Sequence, residues 1–203
     1  MNSRGSTRPL RILGLDPGLQ TTGYGVVEAA ERGPRIVEAG VIRSAENRAT
    51  ADMAKRLQTL YDGLWEVIEQ CAPAAVAVEQ LYAHYDHPRT AILMAHARGV
   101  FFLAAAQRNL PVISYAATQV KKTITGSGRA SKEQMQHAIA HELGLTQPPQ
   151  PHDVADALAV ALCHYYVTHG GPNLLGGTRS ASFTGVNRRV LFGENPELLD
   201  ETT

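Results

Sequence analysis

Leu10-Arg11-Ile12-Leu13-Gly14-Leu15-Asp16-Pro17-Gly18 is the stretch whose reading decides the fold. The run from Leu10 to Leu15 is short and aliphatic, so it reads as a buried strand. It passes directly into Asp16-Pro17-Gly18, a turn signal. Asp16 therefore falls where a buried strand ends and the chain reverses. Working outward, Thr22 to Glu28 (TGYGVVE) reads as a second strand and Arg35 to Ile42 as a third. Three strands joined by short turns form an antiparallel meander.

The period then changes. Thr50 to Gln70 carries Met53, Leu57, Leu60, Leu64 and Ile68 at spacings of three or four, an amphipathic helix with Thr50 as its expected N-cap. Pro73 to Glu79 (PAAVAVE) holds no charge before its last residue and reads as a central strand. His87 to Asn109 reads as a long helix, Pro111 to Tyr115 as a fifth strand and Thr118 to Ile124 as a short helix. Ser131 opens another helix, and Gln134 completes a capping box with it. After the breaker Gln147 to Pro151, His152 to Thr168 forms the last helix. The expected fold is α/β, a mixed five-stranded sheet flanked by helices, in the order of the ribonuclease-H-like architecture. That order alone fixes no chemistry.

The chain has 203 residues, room for one domain with extensions. Residues 1–9 read as a flexible extension, 10–169 as the folded domain and 170–203, rich in Gly, Ser and Asn, as a disordered tail. Cys71 and Cys163 lie far apart and form no metal or redox motif, so both are expected as reduced thiols. The polar N-terminus is no signal peptide, and no apolar run is expected to span a bilayer. A cytoplasmic protein with no membrane role follows. The 19 basic residues balance 19 acidic ones. That balance hides segregation, because His84 to Lys132 holds seven Lys and Arg against the single acid Asp86.

Four carboxylates are candidates for chemistry. Asp16 and Glu79 each end a buried strand, so both can reach one edge of the sheet. Asp153 and Asp156, at i and i+3, share one face of the last helix. Other uses stay open: Asp16 as a turn residue, Asp153 as a helix cap, Asp156 as a partner of the helix dipole. Together they suggest a site, since four carboxylates repel and raise one another's pKa unless a cation neutralises them. Oxygen ligands alone suit Mg²⁺ or Mn²⁺ rather than Zn²⁺. Two such ions about 4 Å apart can serve a phosphoryl transfer. Gly126-Ser127-Gly128-Arg129 with Lys122 is a Gly-rich basic loop able to approach a phosphate backbone. His137 and His141 read as a solvated helix face.

These motifs carry a resemblance. Ile12 to Gly18 followed by Thr22 to Glu28, then Val78-Glu-Gln-Leu-Tyr82, Ala97-Arg-Gly-Val100, Tyr115 to Thr123 and Asp153-Val-Ala-Asp156-Ala-Leu-Ala are similar, in order, to the RuvC family of Holliday junction resolvases. The resemblance covers roughly Leu10 to His169. It implies a homodimeric, metal-dependent endodeoxyribonuclease that nicks opposed strands of a four-way DNA junction, in concert with a branch-migration complex of the RuvA and RuvB type. It assigns catalysis and two Mg²⁺ or Mn²⁺ ions to Asp16, Glu79, Asp153 and Asp156. It assigns base stacking to Tyr82, and phosphate contact to Lys121 and Lys132, with Lys122 and Arg129 between them. Some family members place histidine at the third acid. Here Asp153 fills that position, and its neighbour His152 is expected to point away. Two alternatives remain: a single-lobe, actin-like ATP-binding protein, which shares an Asp-x-Gly turn, and a protein that holds junctions without cutting them. Small residues on the long helix (Ala91, Ala95, Ala97, Gly99, Ala104 to Ala106) suit either a partner helix or the chain's own sheet.

Overall fold

The structure is a computed structural model, and it describes residues 9–44, 52–81 and 88–170. Five strands and five helices follow in the order β1 (Arg11–Asp16), β2 (Thr21–Ala30), β3 (Gly33–Arg43), α1 (Met53–Cys71), β4 (Ala75–Glu79), α2 (Pro88–Gln107), β5 (Val112–Tyr115), α3 (Ala117–Thr125), α4 (Lys132–Glu142) and α5 (His152–His169). The strands form one sheet in the order β3-β2-β1-β4-β5. β1 to β3 form the expected meander, and β4 and β5 join it in parallel.

Each face of the sheet is covered, which explains why β1 and β4 are continuous apolar runs. On one face, Ile12, Ala75, Ala77, Ile113 and Tyr115 pack against α3, α4 and α5. On the other, Leu13, Leu15, Val76 and Val78 pack against α1 and α2. Side chains alternate between the faces of a strand. Asp16 and Glu79 therefore continue the rows Ile12–Gly14 and Ala75–Ala77, on the α5 side.

α5 is the most deeply set helix: every residue from Val154 to Tyr166 except Asp156 is buried. Burying Leu158 and Leu162 alone contributes about 1.5–3 kcal/mol each. The helix approaches β1 and β2 closely because glycines face it. A Cβ on Gly14 would stand 2.1 Å from the Ala157 carbonyl oxygen, and one on Gly23 would stand 2.0 Å from that of Asp153.

Two features differ from the sequence reading. α1 is capped by Asp52, whose carboxylate accepts a hydrogen bond from the Ala54 amide at 3.1 Å; Thr50 lies outside the described residues. The capped turn places Arg56 within reach of the end of β3 and the loop before β2. Buried Arg56 donates to Ser44 Oγ at 3.3 Å and to the Leu19 carbonyl at 3.2 Å. α2 is also more apolar than expected, because Thr90–Gln107 is long and apolar enough to cross a membrane by length and composition. Of these residues Ala97, Phe101, Ala104 and Ala105 are buried, in the cluster shared with α1 and the sheet. The capping box of Ser131 and Gln134 is present, both cysteines are free and buried, and His137 and His141 are exposed.

Candidate active site

The site is built where three elements end or begin together. β1 and β4 run parallel, with Leu15 paired to Val78, so the next residues, Asp16 and Glu79, stand level at the strands' carboxyl ends. Ligand sites of α/β sheets form at this edge. Gly23 pairs with Asp16 on the other side of β1 and lies against the Asp153 backbone, so the first turn of α5 is set beside Asp16. The turn after Asp16 is stapled by Thr22, whose hydroxyl donates to the Gly18 carbonyl at 2.7 Å and accepts from the Gly18 amide at 3.3 Å.

The electrostatics show that the four acids act on one another. The Asp16 carboxyl is pushed up to about 7, by burial first and then by the negative charges of Asp156, Glu79 and Asp153; Lys132 opposes them. Burial and Asp156 raise Glu79, against Lys121 and Arg98. Burial raises Asp156, against Lys132, His152 and Lys121. A half-buried group of carboxylates that raise one another's pKa is a candidate functional site. Its donors are all oxygens, which fits hard divalent cations. Among the described residues, however, no three His, Cys, Asp or Glu side chains are gathered closely enough to hold an ion as they stand. Mutual repulsion favours this spread.

The other expected residues divide. Lys121 and Lys132, on α3 and α4, act on the acids, whereas Lys122 and Arg129 are exposed in the same region. Tyr82 lies outside the described residues. His152 does not point away idle: its Nδ1 lies 2.6 Å from Gln136 Nε2, and its charge acts on Asp156. At the first turn of α5 the neighbouring α4 supplies that partner. Asp153 and Asp156 are not caps; Pro151 holds the N-cap position.

Sequence reasoning also passed over residues that set the site. Gly14 and Gly23 were quoted only as part of strands, although a glycine inside a strand often marks close backbone approach. Arg98 donates to the Glu79 carbonyl oxygen and, at 2.6 Å, to Ser114 Oγ. A lone charge in the middle of an apolar helix was the signal for it.

An acidic edge on a five-stranded sheet of this order, covered by these helices, defines a ribonuclease-H-like protein of the nuclease class. Residues 12–164 match the family model for crossover junction endodeoxyribonuclease RuvC. A curated relative of that name from Rhodopirellula baltica is 51% identical over 160 residues, covering 78% of this chain and 87% of the relative. One from Legionella pneumophila is 37% identical over 165 residues, covering 81% and 92%. The solved structure of Thermus thermophilus RuvC in complex with Holliday junction substrate is 31% identical, with a TM-score of 0.73, covering 78% of this chain and 94% of that one. The chain belongs to the RuvC family and is an enzyme of the metal-dependent endodeoxyribonuclease class. The actin-like alternative finds no support in these comparisons.

Proposed function

We propose that this chain resolves four-way DNA junctions by paired, symmetric nicks in opposed strands, in recombination and repair. The observation that carries the reading is the level placement of Asp16 and Glu79 beside the α5 acids, where burial first and then the neighbouring negative charges push the Asp16 carboxyl up to about 7. The Thermus relative, seen with a Holliday junction, supplies the substrate class. Residues 10–169 form the nuclease domain in this account.

Asp16, Glu79, Asp153 and Asp156 are the residues that would hold Mg²⁺ or Mn²⁺, two ions in our reading. Bound there, such cations neutralise the cluster, lower the pKa of a water and stabilise the departing 3′-oxygen. The chain's own work is positional. The parallel strand ends fix Asp16 and Glu79, and Gly23 sets Asp153 against them. Lys121 and Lys132 bring positive charge to the rim of the acids, where a phosphodiester enters. Lys122 and Arg129 extend that rim along the backbone, and Tyr82 stacks on bases near the crossover. Hydrolysis adds water across the P–O3′ bond, leaving a 5′-phosphate and a 3′-hydroxyl.

Symmetric cutting needs two sites related by a two-fold axis, so the working form is a homodimer. One face of α2 supports it. Ile92 is 58%, Phe102 38% and Leu103 54% exposed, and a Cβ on Gly99 would meet nothing within 4 Å. A second copy of α2 fits this stripe. The dimer acts on chromosomal DNA in the cytoplasm, beside a branch-migration complex of the RuvA and RuvB type. The direct test is incubation of the protein with a synthetic four-way junction and Mg²⁺ or Mn²⁺, with sedimentation run at the same concentration. Cleavage by a dimer supports the reading; intact junction, or cleavage by a monomer, refutes the corresponding part.

A further inference from the structure

Glu79 is approached from both sides of the sheet. Its carboxylate continues the row of Ala75 and Ala77 on the α5 face, where it interacts with Asp156. Its carbonyl oxygen is taken from the opposite side by Arg98 of α2. The same guanidinium donates to Ser114 Oγ at 2.6 Å, on the neighbouring strand β5. Ser114 is paired with Val78 and Glu79 with Tyr115, so Arg98 ties the last two rungs of β4 and β5.

Three features make this more than a surface contact. The Glu79 carbonyl lies where β4 stops, and the next amide, that of Gln80, makes the last ladder bond to β5, to the Tyr115 carbonyl at 2.9 Å. Without Arg98 the last carbonyl of the strand would lose its partner at the position where Glu79 must be held. Next, the guanidinium lies over the Phe102 ring, 4.7 Å from its centroid, so its plane is set by packing as well as by hydrogen bonds. Finally, it is the one Lys or Arg between Thr90 and Gln107. A forked, always charged donor on a rigid helix suits this task better than a lysine, which binds through a single point.

We propose that Arg98 is a positioning residue for cleavage: it fastens the end of β4 to β5 and α2, and so fixes the direction of the Glu79 carboxylate. Phe102 braces it from the exposed stripe of α2, which makes the Glu79 position sensitive to how that helix is packed. The inference rests on the reading of Glu79 as a catalytic acid.

The test compares Arg98→Met, Arg98→Lys, Ser114→Ala and Glu79→Gln in the full chain. Arg98→Met lowers the single-turnover cleavage rate about tenfold to a hundredfold, the range seen when supports of a site are removed. Junction affinity, measured in EDTA, stays within about twofold, since Arg98 is not among the phosphate contacts. Arg98→Lys restores part of the rate. Ser114→Ala costs less and adds little in the Arg98→Met background, because both remove one tie. Amide exchange quickens at Gln80 in Arg98→Met but not at Ala77. A wild-type rate in Arg98→Met, a loss matched by weaker junction binding, or no relief in Arg98→Lys overturns the proposal. Glu79→Gln separates the two layers: if it cuts normally, the reading of Glu79 fails; if it is inert while Arg98→Met cuts normally, only Arg98 is misassigned.

Discussion

Asp16 and Glu79 each stand one residue beyond the pair Leu15–Val78, level with one another at the carboxyl ends of adjacent parallel strands. Neighbouring strands lie about 4.8 Å apart, so two carboxylates leaving the same face at this point must share their surroundings. α5 then adds Asp153 and Asp156. The local cost of this arrangement is the source of its chemistry.

That cost is measurable in Asp16. Its carboxyl is raised from 3.8 to about 7, so the folded chain binds this proton more tightly than the unfolded chain. Through this group the fold therefore loses stability as pH rises from 3.8 toward 7, and above 7 a half-buried negative charge stands among three other acids with Lys132 offsetting part of the repulsion. Asp16→Asn removes it. In EDTA at pH 8 the variant should be more stable by on the order of 2 kcal/mol, or about 5 °C in Tm, while cleavage is abolished and junction binding is kept. Added Mg²⁺ should raise the Tm of the wild type and not of the variant. A less stable Asp16→Asn would show the acid to be structural.

Gly23 tests the link between the sheet and α5. A methyl group there would stand 2.0 Å from the Asp153 carbonyl oxygen, and backbone rather than a side chain must move. Gly23→Ala should lose about 1–3 kcal/mol by denaturant melts. Its cleavage rate at a temperature where it is folded should fall further than stability requires, since Asp153 moves with the helix. Cleavage unchanged in folded Gly23→Ala would detach Asp153 from the site.

A pH-dependent loss of stability is expected from His164, which is distinct from the acids. It is 6% exposed, its Nδ1 lies 2.7 Å from the Tyr115 hydroxyl, and burial holds its pKa down to about 4 against an ordinary 6.5. Between those values the unfolded chain binds a proton that the folded chain does not. The contribution of His164 is thus complete above 6.5 and is lost as pH falls toward 4, by about 3 kcal/mol, opposite in sign to that of Asp16 over the same range. His164→Gln, which does not titrate, should remove this contribution, so that in thermal melts it loses less stability than the wild type on acidification from 6.5 to 4. An unchanged slope would assign the acid loss to other groups.

Lys121 and Lys132 are expected to act at the phosphate. Replacing either by Ala should slow cleavage about tenfold or more and lower the slope of log affinity against log salt by about 1. Fluorescence anisotropy across a salt series reads both. A slope unchanged in both variants would place these lysines outside the DNA path.

Much of this was legible because each local rule agreed with the fold. The apolar stretches Ile12 to Leu15 and Pro73 to Val78, each closed by an acid and a turn or loop, read as buried strands, and Ser131 with Gln134 announced a helix start that the structure contains. The acids' positions on their elements followed from periodicity. What stayed hidden depends on approach between elements. Gly14 and Gly23 are permissive residues whose need shows only once α5 lies across them. His152 was judged from its own helix, and its partner Gln136 belongs to another. Arg98 was quoted within a motif, but nothing local tells that its guanidinium reaches two strand ends. Asp52, rather than Thr50, caps α1, a choice between two competent residues that backbone geometry makes.

The most direct measurement is strand-mapped cleavage of a synthetic four-way junction beside a linear duplex of the same sequence, with Mg²⁺ or Mn²⁺. The account predicts nicks at symmetry-related positions in two opposed strands, each with a 5′-phosphate. The duplex should be left intact, and Asp16→Asn and Glu79→Gln should make no cuts. Cutting of the linear duplex at an equal rate, or cutting that survives in Asp16→Asn and Glu79→Gln, would contradict it.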